Sequence, residues 1–135
     1  MNVVDSSGWL EYFAGGPQAG VFAKAIEDPS TLIVPTVSLY EVFKRVLQQR
    51  GDDDALRAVA IMEQGRVVEL TSTIALAAAD LSVKHQLPMA DSVILATARR
   101  GGAILWTLDA DFDGLEGVRF FQKISDVRNR PQSAG

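Results

Sequence analysis

The sequence predicts a single α/β domain built on a mostly parallel sheet of four to five short strands, with helices on both faces. Three observations carry this reading. Each short apolar run is followed by a segment of helical length and pattern, which is the rhythm of strand–helix–strand units. The apolar runs are continuous, as in Leu32-Ile33-Val34 and Ile104-Leu105-Trp106. Strands buried on both faces read this way, whereas a half-exposed strand alternates. Finally, 135 residues make one domain, large enough to bury roughly 70% of its unfolded surface.

The first strand is Val3-Val4, running into Asp5-Ser6-Ser7-Gly8. A helix carrying Trp9, Leu10, Tyr12 and Phe13 follows and is broken by Gly15-Gly16-Pro17. Val21, Phe22, Ala25 and Ile26 share a face of the next helix, closed by Asp28-Pro29. Thr31 to Val34 is the second strand. Pro35 and Thr36 turn the chain into a helix whose apolar set is Leu39, Tyr40, Phe43, Val46 and Leu47, stopped at Gly51. Asp52-Asp53-Asp54 opens another helix through Leu56, Val59, Ala60 and Glu63, since carboxylates favour a helix N-terminus. Arg66 to Leu70 is the third strand. Thr71 or Ser72 caps an alanine-rich helix that ends near Gln86, before Leu87-Pro88. A helix then runs from about Met89 to Arg100 and stops at Gly101-Gly102. Ala103 to Trp106 and Val118 to Phe121 are the last two strands. The domain is expected to occupy residues 1–125, with 126–135 a polar, frayed tail.

Composition narrows the chemistry. Thirteen Lys and Arg stand against 17 Asp and Glu, for a net charge of -4, which excludes gripping nucleic acid by uniform basic charge. No cysteine is present, so thiolate nucleophiles and sulfur-ligated metals are excluded. A single histidine, His85, cannot build a multi-histidine centre, and its place beside Ile74, Ala78 and Leu81 marks it as a structural or partly exposed residue. Metal chemistry here rests on carboxylates, which favours Mg²⁺ or Mn²⁺. No signal peptide and no apolar run near membrane-spanning length is visible, so a soluble, cytoplasmic protein is expected.

The carboxylates then sort by position. Ligands of open parallel sheets collect beyond the C-terminal strand ends. Asp5 follows the first strand, and Thr107 and Asp109 follow the fourth. Taken singly, each aspartate reads equally well as an ordinary loop or cap residue and as a site residue. Asp91 says more, because it shares a helical face with Ile94, Leu95 and Ala98. A sheet-facing carboxylate needs a partner, and a helix N-terminus supplies only about 0.3–1 kcal/mol. Glu41 reads on pattern alone as the far end of a capping box, Ser38-Leu39-Tyr40-Glu41, with Arg45 one turn on for an ion pair.

Four blocks resemble the PIN-domain ribonucleases, in particular VapC-type toxins of toxin–antitoxin pairs. They are Val3-Val4-Asp5-Ser6-Ser7-Gly8-Trp9-Leu10-Glu11-Tyr12-Phe13, Ser38-Leu39-Tyr40-Glu41-Val42, Leu87 to Ala98, and Thr107-Leu108-Asp109-Ala110-Asp111-Phe112. The resemblance extends from Val3 to about Phe121. It implies that Asp5, Glu41, Asp91 and Asp109 form a catalytic acidic quartet. Asp5 and Asp91 would hold Mg²⁺, with Mn²⁺ able to substitute; Glu41 and Asp109 would act directly or through water. Ser6 and Thr107 would line the pocket. Asp111 is a second candidate for the last acidic role, and Asp109 is favoured as the nearer to the strand end. The implied activity is metal-dependent endoribonuclease cleavage by the toxin of a type II system. The implied partners are RNA, a VapB-like antitoxin and a second copy of the chain.

Setting the quartet aside leaves the rest of the chain neutral. Lys44, Arg45 and Arg50, near Glu41, and Arg99 and Arg100, ending the Asp91 helix, are placed to contact RNA phosphates. As solvated helix residues they would need no such role, and the last two also suit a helix C-terminus. Among other metal-dependent phosphoryl enzymes, a dehalogenase-like phosphatase wants an aspartate two residues after Asp5, where Ser7 stands. A receiver-like domain wants an aspartate after the third strand, where Thr71-Ser72-Thr73 stand. A catalytically weak PIN-like binding module would be expected to lack an acidic position, and all four are present.

Overall fold

The computed structural model describes residues 1–124; the expected tail at 126–135 lies outside them. Five strands form one sheet: β1 (Asn2–Val4), β2 (Leu32–Pro35), β3 (Arg66–Val68), β4 (Ile104–Thr107) and β5 (Val118–Phe120). Every pairing is parallel, and the order is β3-β2-β1-β4-β5. The helices are α1 (Ser6–Ala14), α2 (Ala19–Ile26), α3 (Thr36–Arg50), α4 (Asp52–Met62), α5 (Ser72–His85) and α6 (Met89–Arg100). The predicted fold class is borne out.

Strand alternation splits the core in two. Val3, Ile33 and Leu105 face α5 and α6, packing on Ile74, Ala78, Leu81, Ile94, Leu95 and Ala98. Their chain neighbours Val4, Leu32, Val34 and Trp106 face the opposite layer, against Trp9, Phe22, Val42, Val46 and Met62. The three central strands, β1, β2 and β4, are thus buried on both faces over most of their length, and this is why their sequences run apolar without alternation. No helix among the described residues is long and apolar enough to cross a membrane.

The local stops follow from backbone chemistry. Gly15 closes α1 in the left-handed region at φ 62°, donating to the Glu11 and Tyr12 carbonyls. Gly8 has a steric reason instead, because a Cβ there would meet Phe22 and Val4 at 2.7 Å. That close approach seats α1 on the end of β1. Thr71 caps α5, its hydroxyl accepting from the Ile74 amide at 3.2 Å.

Two helical faces differ from expectation. On α3 the buried stripe is Ser38, Val42 and Val46, while Tyr40 is 63% exposed and Leu47 is also exposed. On α4 the buried residues are Ala55, Ala58 and Met62, and Leu56 is 60% exposed. The α3–α4 pair explains both. Small residues at Ala55 and Ala58 let α4 lie close on its neighbour, so side-chain size is a poor guide to which face is covered. The short 3-10 turns at Pro29–Thr31 and Ala110–Phe112 have no counterpart among the expected elements.

Candidate active site

The strand order reverses direction between β1 and β4, and this is where crevices open in parallel α/β sheets. Val4 pairs with Trp106, and the Asp5 amide extends the ladder to the Trp106 carbonyl at 2.9 Å. Asp5 and Thr107 are therefore neighbours at the C-terminal ends of adjacent strands. The Thr107 hydroxyl donates to Asp5 Oδ2 at 2.9 Å, and the Ser7 hydroxyl donates to the same oxygen at 2.8 Å. Asp5 is only 3% exposed, and burial pushes its carboxyl up from the usual range. The Ser7 and Thr107 hydroxyls oppose that shift, and the charge of Asp109 adds to it.

Beyond β4, Asp109 occupies the N-cap position of the 3-10 turn, and its Oδ1 accepts from the Asp111 amide at 2.9 Å. That turn brings Asp111 back toward the sheet. Asp91, in the first turn of α6, approaches from the other layer, following Pro88. Asp91, Asp109 and Asp111 each offer a carboxylate oxygen within 4.8 Å of the others. The Asp91 carboxyl is pushed up to about 7. Burial is the largest cause, followed by the charges of Asp5, Asp109, Glu41 and Asp111. Like charges converging on one half-buried carboxyl disfavour its ionisation, and a divalent cation relieves that repulsion. The donor set is all oxygen, which fits a hard cation.

Of the expected quartet, Asp91 and Asp109 lie in the tightest group, which Asp111 completes. Asp5 and Glu41 stand close enough for their charges to act on Asp91 as well. The Asp5 carboxylate is held by the Ser7 and Thr107 hydroxyls. Half-buried Glu41 accepts from the Ser6 hydroxyl through Oε1 at 2.7 Å, tying α3 to the start of α1. The capping box at Ser38 does not form. Pro35 already holds the N-cap position, with φ -64°, so Ser38 lies buried inside the first turn. Nor does Glu41 pair with Arg45. Among the described residues the ion pairs are Asp54–Arg57 and Asp80–Lys84, both at helical spacing on exposed surfaces.

A cleft of about 660 Å³ opens beside Asp109 between α1, α3 and α4. Arg45, Arg50, Arg57 and Lys123 line it, over apolar patches that include Leu10 and Phe13. Lys44 instead sits 5.7 Å over the Tyr40 ring, away from the cleft lining. Arg99 donates to the Glu116 carbonyl at 3.0 Å, and Arg100 lines a separate hollow with Arg66. Both end α6, about 12 Å along the helix axis from Asp91 at 1.5 Å per residue. Sequence reasoning misses Ser7, Arg57 and Lys123. Ser7 carries a signal, a hydroxyl two residues beyond the strand-end aspartate, whereas Arg57 and Lys123 look like ordinary solvated cations.

These features define an α/β domain with an acidic cluster at the crest of its sheet, suited to a divalent cation and to phosphate chemistry. The PIN-domain family model matches residues 3–118, and the chain belongs to that family. No curated protein matches it in sequence. The fold is similar to that of a toxin–antitoxin complex from Klebsiella pneumoniae, with a TM-score of 0.79 at 21% identity over 92% of this chain and 100% of the other. It is also similar to VapC20, a sarcin–ricin-loop-cleaving toxin of Mycobacterium tuberculosis, with a TM-score of 0.73 at 24% identity over 88% and 99%. DNA-bound VapBC from Salmonella typhimurium gives 0.66 at 15% identity over 90% and 98%. At these identities the likeness concerns the fold, and the resemblance read from the sequence agrees with it.

Proposed function

We propose that this chain is a metal-dependent endoribonuclease, the toxin of a type II toxin–antitoxin pair. Its domain is residues 1–125, and it acts in the cytoplasm as a homodimer, held in check by a VapB-like antitoxin. The observation that carries this reading is the convergence of Asp91, Asp109 and Asp111 at the sheet crest of a PIN domain, with the Asp91 carboxyl raised by burial and by its acidic neighbours. The toxin and antitoxin character of the structures sharing this fold supports the assignment of role and partner.

Asp91, Asp109 and Asp111 would hold Mg²⁺, or Mn²⁺ in its place, with Asp5 and Glu41 completing the negative field around it. When bound, such an ion offsets the carboxylate repulsion, lowers the pKa of water and stabilises charge on the leaving oxygen of a phosphodiester. The protein's own groups do the positioning. Thr107 and Ser7 orient Asp5, and Ser6 orients Glu41. Asp109 orders the turn that carries Asp111. Arg45 and Arg50, on the cleft beside Asp109, are placed for phosphates flanking the scissile one. Lys44, Arg99 and Arg100 lie off that cleft and are a weaker fit to this role.

Sequencing RNA ends after brief expression tests the reading. The wild-type chain is expected to generate new ends at a restricted set of positions, and Asp5→Asn to generate none. Identical end profiles from the two proteins at matched expression would refute it.

A further inference from the structure

Two hydroxyls bridge the same pair of loops at the sheet crest. Ser7 Oγ donates to Asp5 Oδ2 at 2.8 Å and accepts from the Leu108 amide at 3.1 Å. Thr107 Oγ1 donates to Asp5 Oδ2 at 2.9 Å and accepts from the Asp109 amide at 2.9 Å. A hydroxyl has one proton to give. Each one is committed to the carboxylate, so each oxygen is left to receive an amide from the loop. Successive amides of the segment after β4 are thereby tied, through two parallel links, to one carboxylate oxygen at the end of β1. The two hydroxyl oxygens lie 3.4 Å apart, side by side across the strand boundary.

We propose that Ser7 is a positioning residue which, together with Thr107, clasps the Leu108–Asp109 segment to Asp5 and so holds the acidic cluster in its cation-binding arrangement. This inference rests on the metal-dependent reading above. Its physical basis is the order of the links. Asp109 is the residue whose side chain caps the next turn and sets Asp111, so its backbone position governs two members of the Asp91–Asp109–Asp111 trio. Thr107 holds Asp109 from within its own segment, two residues away. Ser7 is the only one of the two hydroxyls that reaches from α1, and it ties Leu108 to an element 101 positions earlier in the chain. The clasp also places two hydroxyl donors on Oδ2 of Asp5. Hydrogen-bond partners one step behind metal ligands commonly set metal affinity by about 10–100-fold when removed.

Ser7 is partly exposed and lies in the first turn of α1, so Ser7→Ala removes the hydroxyl without opening a core cavity and with a residue that favours helix. The test compares the full-length wild type, Ser7→Ala and Ser7→Thr by calorimetric titration with Mn²⁺, alongside amide exchange at Leu108 in the metal-free proteins. Ser7→Ala acts one step further back, through Asp5 and the Leu108 amide. It is therefore expected to weaken Mn²⁺ binding about tenfold, the low end of that range, and to speed exchange at Leu108, with Ser7→Thr restoring both. Wild-type Mn²⁺ affinity in Ser7→Ala would overturn the proposal, and so would a lowered melting temperature with that affinity unchanged. A wild type that binds no Mn²⁺ would defeat the metal reading itself and the positioning role with it. That result is distinct from a wild type that binds while Ser7→Ala binds equally well.

Discussion

Asp91→Asn is expected to lower metal-dependent RNA cleavage by about a thousandfold or more, because losing a ligand forfeits several kcal/mol of transition-state stabilisation. The same substitution is expected to leave the fold intact and, at pH 8 without metal, to make it more stable than the wild type. Asp91 stands where burial and the charges of Asp5, Asp109, Glu41 and Asp111 all act against its ionisation. Asparagine keeps the shape and removes that repulsion. A folded, stabilised and inactive variant is the signature of a residue kept for chemistry at a cost in stability. Cleavage at the wild-type rate by carefully purified Asp91→Asn protein would reject the assignment of Asp91, and a variant less stable at pH 8 would mean that the carboxylate is structural.

The second large effect is on the pH dependence of stability, and its sign is unusual for a carboxylate. In the metal-free fold the Asp91 carboxyl is raised to about 7, well above the ordinary value of 3.8, and Asp5 moves in the same direction. A raised carboxyl binds its proton more tightly in the folded state than in the unfolded one. Its contribution to stability is therefore greatest at low pH, where both states are protonated, and falls as pH rises from near 4 toward 7. Above about 7 the loss is complete. A pKa difference of one between the two states is worth about 1.4 kcal/mol. Asp91 is only half-buried, so solvent screening trims the total, and the loss between pH 5 and pH 8 is on the order of 1–3 kcal/mol. Other carboxylates in the chain oppose acidification, so the diagnostic quantity is the difference between the wild type and Asp91→Asn across that window. Saturating Mn²⁺ should invert the trend, because the ion binds only the ionised carboxylates and stabilises the folded state increasingly as pH rises. Thermal melting from pH 5 to pH 8, with and without Mn²⁺, reads this directly. Parallel curves for the wild type and Asp91→Asn without metal would contradict the electrostatic picture.

The fold is legible because burial on both sheet faces writes itself into the sequence. Val3-Val4, Leu32-Ile33-Val34 and Ile104-Leu105-Trp106 read as parallel strands without reference to any partner. The Met89–Arg100 boundaries follow from Pro88 and Gly101, which govern the backbone locally. Helix faces are harder to read where packing depends on the neighbour. Leu56 and Tyr40 are large and apolar yet exposed, while Ala55, Ala58 and Ser38 are buried, because small side chains decide how closely α3 and α4 approach.

The site divides along the same line. The helical spacing of Asp91 with Ile94, Leu95 and Ala98 reveals a carboxylate pointing inward, and strand-end placement locates Asp5 and Asp109. Glu41 looks like a capping residue, since nothing local announces that Ser6 comes to meet it from 35 positions away. Asp111 ranks below Asp109 on sequence alone, because the 3-10 turn that folds it back leaves no clear local signal. Ser7 does offer a local signal, a hydroxyl two residues beyond the strand-end aspartate, but its partner is not local: Leu108 follows a strand end that is adjacent only once β1 and β4 pair.

Crystals grown with saturating Mn²⁺, measured at the manganese absorption edge, give the most direct view of whether these carboxylates share an ion. The account predicts an anomalous peak coordinated by oxygens of Asp91, Asp109 and Asp111, with Asp5 within the surrounding shell. Saturated crystals whose manganese lies elsewhere, or nowhere on the chain, would contradict it.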